Sequence, residues 1–336
     1  MTLVLVANAG DGTISSYRLS DDSLTRLAVS HVGRGCSTFV VDHDRSLVYA
    51  GTKDGPAIVT CALDRDSGEL TVLRTTPTPG NPTYLSLAHG GSVLLTAYYH
   101  QGLGDARPVI DGVVPDAVGS IEAANAHCVV PSSDSRHAYF VSLGEDLVAV
   151  CAVGADATLS RTADAPAPPG CGPRHLVLDR TETHAYVVTE YSGEILHYRR
   201  DLENGTLVPA TATGVVDPSY GLLHSRLGAD PVVEHLIWGA DLHLAADGRT
   251  VWSTERTESI LTTSPIDDDG AVGSPLAHRM TEAQPRGFAV SPDGRHVVVA
   301  GERSETITLY GVGEAGALTD SGRYATGAGS NWVRFC

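Results

Sequence analysis

Basic residues are scarce in this chain. Lysine and arginine together number 23 against 40 aspartates and glutamates, a formal charge of −17. Such a field repels nucleic acid and anionic membrane surfaces, so neither is an expected partner. Long apolar runs are also missing, and none approaches the roughly eighteen residues of a membrane helix. The opening stretch MTLVLVANAGDG lacks a basic flank and reads as a strand rather than a signal peptide. Six cysteines, at 36, 61, 128, 151, 171 and 336, form no CxxC pair. Three of them (36, 128 and 171) stand at or just before apolar runs, where small buried thiols are expected and a disulfide framework is not. The spacings HxH and HExxH are absent, so no metal site is expected from His127, His175 and Glu190. Sustained 3.6-residue periodicity is missing as well, so little helix is expected. From these absences a soluble, cytoplasmic protein is expected; a monomer or weak homo-oligomer is expected as well.

Glycine is plentiful, at 36 residues, and the apolar segments are short. One pattern recurs: an apolar run, a polar turn, then a second apolar run. It appears as STFVVDHDRSLVYAGT, TYLSLAHGGSVLLTAY, HCVVPSSDSRHAYFVS, RHLVLDRTETHAYVVTE, DLHLAADGRTVWSTER and RGFAVSPDGRHVVVAGE. Taking Asp44, Gly90, Asp134, Thr181, Asp247 and Asp293 as turn anchors, the gaps are 46, 44, 47, 66 and 46 residues. Further hairpins follow most anchors, as in EILHYRRDLENGTLVPA. A period near 46 with β-branched runs predicts an all-β, seven-bladed β-propeller with four antiparallel strands per blade. Six blades are complete. The seventh is expected to pair the C-terminal GSNWVRFC with the N-terminal strand, closing the ring and removing a sheet edge. The whole chain, 1–336, then forms one domain, and the long gap is filled by an insertion loop at 213–237.

In a propeller the first strand of each blade lines the central channel, and the second returns to the same face. Seven residues before the anchors stand Ser37, Thr83, His127, Arg174, Ala240 and Arg286. Nine residues after them stand Lys53, Tyr99, Leu143, Glu190, Arg256 and Glu302. Hence His127, Arg174, Glu190, Arg256 and Arg286 converge on one mouth, with His175, Asp241 and His243 slightly deeper. A carboxylate and an imidazole supply a general base and acid, and guanidiniums hold an anion or an oxyanion. Charges at strand ends are also common punctuation, and Glu190–Arg256 read alone could be a clamp between blades. His31, His43, His137 and His184 fall at turns or exposed positions and are expected to be solvated.

At these residues the chain resembles the seven-bladed propeller lactonases, a group with bacterial 6-phosphogluconolactonases and fungal carboxymuconate lactonizing enzymes. The resemblance rests on GPRHLVLDRTETHAYVVTE, WGADLHLAADGRTVWSTERTESI, TEAQPRGFAVSPDGRHVVVAGERSETITLY and GRYATGAGSNWV. By the resemblance, His127, Arg174, Glu190 and Arg256 match the positions implicated in the fungal lactonizing enzymes, Arg286 falls in the family's QPRGF string, and no metal or organic cofactor is implied. With the channel geometry, the expected catalytic residues are Glu190, His127 and Arg256, and the expected substrate-binding residues are Arg174, Arg286, His175, Asp241 and His243. The resemblance implies a small anionic lactone as substrate and hydrolysis as the reaction. The rivals are a carboxymuconate-type cycloisomerase and a non-catalytic propeller that binds a protein or peptide. The stretch HQGLGDARPVIDGVVPDAVGS and the insertion depart from the repeat and are expected to reshape the pocket.

Overall fold

The computed structural model describes residues 2–336. They form seven four-stranded antiparallel sheets. The inner strands of blades one to six are Thr38–Asp42, Tyr84–Ala88, Ala126–Pro131, Pro173–Leu178, Gly239–Leu244 and Pro285–Val290. The closing blade is built from both ends of the chain, with Ser330–Phe335 paired to Thr2–Asn8. The α-helix among the described residues is a single turn, Pro231–Glu234, within the expected insertion. That insertion begins later than expected, because Thr213 and Gly214 still pair in the outer strand of blade four. None of the described helices is long and apolar enough to cross a membrane.

Local chemistry explains the strands and their turns. β-Branched and aromatic side chains alternate between the two faces, and each sheet buries both. In blades three, five and six, the carboxylates of Asp134, Asp247 and Asp293 accept the amide of the arginine two residues on. These side chains close the hairpin as Asx turns. In blades one and four, however, Asp42 and Asp179 do this work, two residues before the expected anchors Asp44 and Thr181.

The core lies between blades. One cluster joins Leu3, Leu5 and Ala7 of the closing blade to Phe39, Val41 and Val48 of blade one. A polar tie repeats beside the packing: Tyr139, Tyr186 and Trp252 each donate to a glycine carbonyl in the next blade, at Gly205, Gly270 and Gly316. This arrangement overturns the expectation for two histidines. His137 is buried beside Gly205, and half-buried His184 lies 2.8 Å from His197 beside Gly270. The neighbouring blade's turn covers both. His31 and His43 are exposed as expected. All six cysteines are free thiols, and five are buried.

Candidate active site

The inner strands are not smooth. Where the inner strands of blades three to six and of the closing blade begin, the register slips against the neighbouring strand, and the slip falls on the ring residue. His127 lies between the pairs Ala126–Ser142 and Cys128–Val141. Arg174, Arg286 and Asn331 occupy the corresponding places in blade four, blade six and the closing blade, and Ala240 and Asp241 share that of blade five. A β-bulge frees a residue from the ladder and re-aims its side chain, here at the mouth of the channel.

Just below that mouth the axis is filled by aromatic rings. Tyr84 meets His175 at 5.3 Å and Trp332 at 5.1 Å, both edge-on. His127 lies 5.1 Å from His175. Above this plug opens a cavity of about 240 Å³ lined by both predicted rings: Ser37, Thr83, His127 and Arg286 from strand starts, Lys53, Tyr99, Glu190 and Arg256 from strand exits. A larger cleft, about 680 Å³, lies on the opposite face among the turns at Asp179–Thr183 and Asp247–Arg249. Its Arg249–Asp268 pair is solvated, and it holds none of the ring residues. The smaller cavity is therefore the candidate site.

Glu190 is its electrostatic centre. Oε2 accepts from Arg174 Nε at 2.8 Å and from Arg256 at 3.1 Å. Burial pushes its pKa up, but Arg256, Arg174 and Arg286 outweigh that and hold it below the usual carboxylate range. Burial pulls Arg256 down to about 9, against the attraction of Glu190, which leaves it a cation at neutral pH. Arg286 pairs with Glu302 at 3.0 Å. The Arg256 guanidinium also stacks 3.7 Å over the ring of Trp238, which enters from the end of the insertion. Backbone fit brings these parts together. Gly239 approaches so closely that a Cβ would sit 2.1 Å from the Thr189 carbonyl. A Cβ on Gly172, at φ +64, would strike the Tyr191 ring.

A buried chain supports the carboxylate from behind. Asp241 Oδ1 lies 2.8 Å from His175 Nδ1, and His175 Nε2 lies 3.2 Å from Arg174. Burial and the neighbouring Arg174 lower the His175 pKa to about 4, so the ring is neutral. It donates through Nδ1–H and accepts through Nε2. Arg174 also donates to the Ala240 carbonyl. Asp241 Oδ2 accepts the amide of Phe288, two residues beyond Arg286. One carboxylate thus ties together the three blades that carry Arg174, Arg256 and Arg286. His127 is neutral as well, because burial and the cations Arg174, Arg286 and Arg256 hold it well below its ordinary value.

The same architecture extends to known proteins. A family model described as Lactonase, 7-bladed beta-propeller matches residues 4–335. The chain belongs to this family of seven-bladed propeller lactonases. The 6-phosphogluconolactonase of Enterobacter sp. strain 638 is 29% identical over 335 residues, covering 98% of this chain and 97% of that one. That of Klebsiella pneumoniae is 28% identical over 318 residues, covering 94% and 92%. Among solved structures, the periplasmic gluconolactonase of Pseudomonas aeruginosa superposes with a TM-score of 0.86 at 25% identity, covering 99% and 98%.

In this lactonase the predicted residues divide into two shells. His127, Glu190, Arg256 and Arg286 form the cavity wall. Arg174, His175 and Asp241, expected to touch substrate, are buried behind it. His243 lies further along the inner strand and is partly exposed, its ring 4.7 Å from Phe288 and its Nε2 3.5 Å from Asp241. Strand position alone could not separate wall from support, because the bulges rotate neighbouring residues differently. Trp238, Asn81 and His100 join the wall without a sequence signal, since they precede or follow the repeat positions. Lys53, Tyr99 and Thr83 were signalled by the ring spacing alone.

Proposed function

We propose that the cavity hydrolyses the ring of an anionic sugar lactone, a reaction of the 6-phosphogluconolactonase type. The observation that carries this reading is the state of Glu190. One oxygen is held by two guanidiniums, while the side chain lines the cavity and Oε1 has no hydrogen bond to protein. Such a carboxylate is ionised, fixed in direction and open to water. Oε1 takes a proton from a water molecule as its oxygen bonds to the lactone carbonyl carbon. Arg256 faces the charge that develops on the carbonyl oxygen. The carbon–oxygen bond of the ring then breaks, neutral His127 donates its N–H toward the leaving oxygen, and the proton taken from water ends on the new hydroxyl. The product acid ionises, so each turnover releases one proton.

Charge balance supports an anionic substrate. Arg174, Arg256, Arg286 and Lys53 gather around Glu190, Glu302 and the deeper Asp241, leaving one net positive charge. They do so inside a chain of net charge −17. The test is proton release from 6-phosphogluconolactone and glucono-δ-lactone, compared with spontaneous opening. Acceleration that disappears in Glu190→Gln is expected. No acceleration by folded protein on either lactone overturns the reading, and loss of muconate ultraviolet absorbance would replace it with the cyclising reaction.

A further inference from the structure

Lys53 is the only lysine in a chain whose other 22 basic residues are arginine. It stands at the mouth of the candidate active site, at the strand exit that corresponds to Glu190 in blade four. Every other cation on that wall has a carboxylate within ion-pair distance: Arg256 has Glu190, and Arg286 has Glu302. Lys53 forms no ion pair among the described residues. Lys53 is exposed at the rim, yet desolvation of its ammonium by the wall and the nearby Arg286 lower its pKa, and Glu302 only partly offsets them. An ammonium in this position gains when an external anion arrives.

Its place in the ring gives the anion a location. Glu190 and Arg256 belong to adjacent blades four and five, on one side of the cavity. Lys53 belongs to blade one and Arg286 to blade six, and only the closing blade lies between them. That blade contributes Asn331 to the ring and no charge. Ser37, beside Lys53 on the wall, adds a hydroxyl. Both cation types bind phosphate, a guanidinium as a planar fork and an ammonium as a point charge with three donors, so Lys53 can seat it beside Arg286.

We propose that Lys53 is the specificity determinant of this site, seating the phosphate of a phosphorylated sugar lactone whose carbonyl lies against Glu190 and Arg256. The proposal rests on the lactonase reading above and adds the end of the substrate that the carbonyl chemistry leaves open.

The experiment compares Lys53→Met and Lys53→Arg on 6-phosphogluconolactone and glucono-δ-lactone. Loss of a charge-assisted contact lowers the preference for the phosphorylated lactone, as a ratio of kcat/KM, by roughly 10- to 100-fold in Lys53→Met. The change resides mainly in KM, and Lys53→Arg recovers part of it. Equal losses on both lactones, or no change in the ratio, overturn the proposal. Binding of 6-phosphogluconate, with gluconate as control, separates this outcome from failure of the lactonase reading. An inactive wild type that binds 6-phosphogluconate through Lys53 keeps the subsite and loses the reaction. A wild type that binds both ligands equally loses the subsite. The single lysine also permits a test without mutation. Acetylation removes its charge and reproduces Lys53→Met, whereas reductive methylation keeps the charge and the preference. Identical effects of the two modifications overturn the assignment.

Discussion

Arg174 and Glu190 are sixteen residues apart in sequence and 2.8 Å apart in space. The first opens the inner strand of blade four and the second follows its return strand, so one hairpin brings them together. Arg174 is fully buried, and its charge is matched by Glu190. The pair is therefore both a structural unit and the rear support of the carboxylate proposed as the general base.

Removing the carboxylate tests both roles. Glu190→Gln is expected to lower kcat by about 100-fold or more, as loss of a general base does. It also strips Arg174 of its counter-charge, a change that costs about 3–5 kcal/mol in buried pairs. Proton release measures the first effect, and chemical denaturation the second.

Asp241 acts at one remove. Asp241→Asn should loosen the His175 tautomer and, through it, Arg174. The expected result is a loss of kcat on the order of tenfold, about 1.4 kcal/mol. KM should change little, and the acid limb of the kcat/KM profile should move upward as Glu190 is held less firmly. A purely structural role would lower the melting temperature and leave the acid limb in place.

Acid should destabilise the protein before its carboxylates titrate. His175 has a folded pKa of about 4 against an ordinary 6.5. The unfolded chain therefore takes up a proton as pH falls through this window while the folded chain does not. Stability is full above pH 6.5 and declines toward pH 4. His127 and His197 act in the same direction. Depressed Glu190 adds a loss below its ordinary 4.5 as pH approaches its folded value. Melting temperature against pH should show this slope, and His175→Gln should make it shallower.

Trp238 should matter through Arg256. Trp238→Ala removes a desolvated cation–π contact worth up to about 2 kcal/mol. The guanidinium then competes less well for its place beside the carbonyl, and kcat falls while the fold persists. Trp238→Phe should retain most of the activity in the same proton-release measurement.

Trp332 ties the closing blade to blade one, its indole donating to the Phe39 carbonyl across the seam. Trp332→Ala should cost about 3–5 kcal/mol in chemical denaturation, because it leaves a cavity beside the axial plug.

Much of this could be read from the sequence. The repeat spacing located all seven blades, the closure by the chain ends and both rings of wall residues, because hairpin geometry ties chain distance to position. It could not show the bulges, which are slips in the pairing of an inner strand with the second strand of its own blade. Arg174 and Arg286 look alike in the repeat, yet one is buried behind Glu190 and the other is on the wall. Nor could it show which influence prevails at Glu190, since burial and the arginines oppose each other there. His137 was misread because its cover comes from the following blade.

The bulges at His127, Arg174, Arg286 and Asn331 have an evolutionary consequence. A residue outside the ladder can be exchanged without moving the register of the strands on either side. Five of the seven blades thus offer a position where chemistry is replaceable at small cost to folding. A family built on this scaffold can change its site one such blade at a time, while the frame that holds the other positions stays as it was.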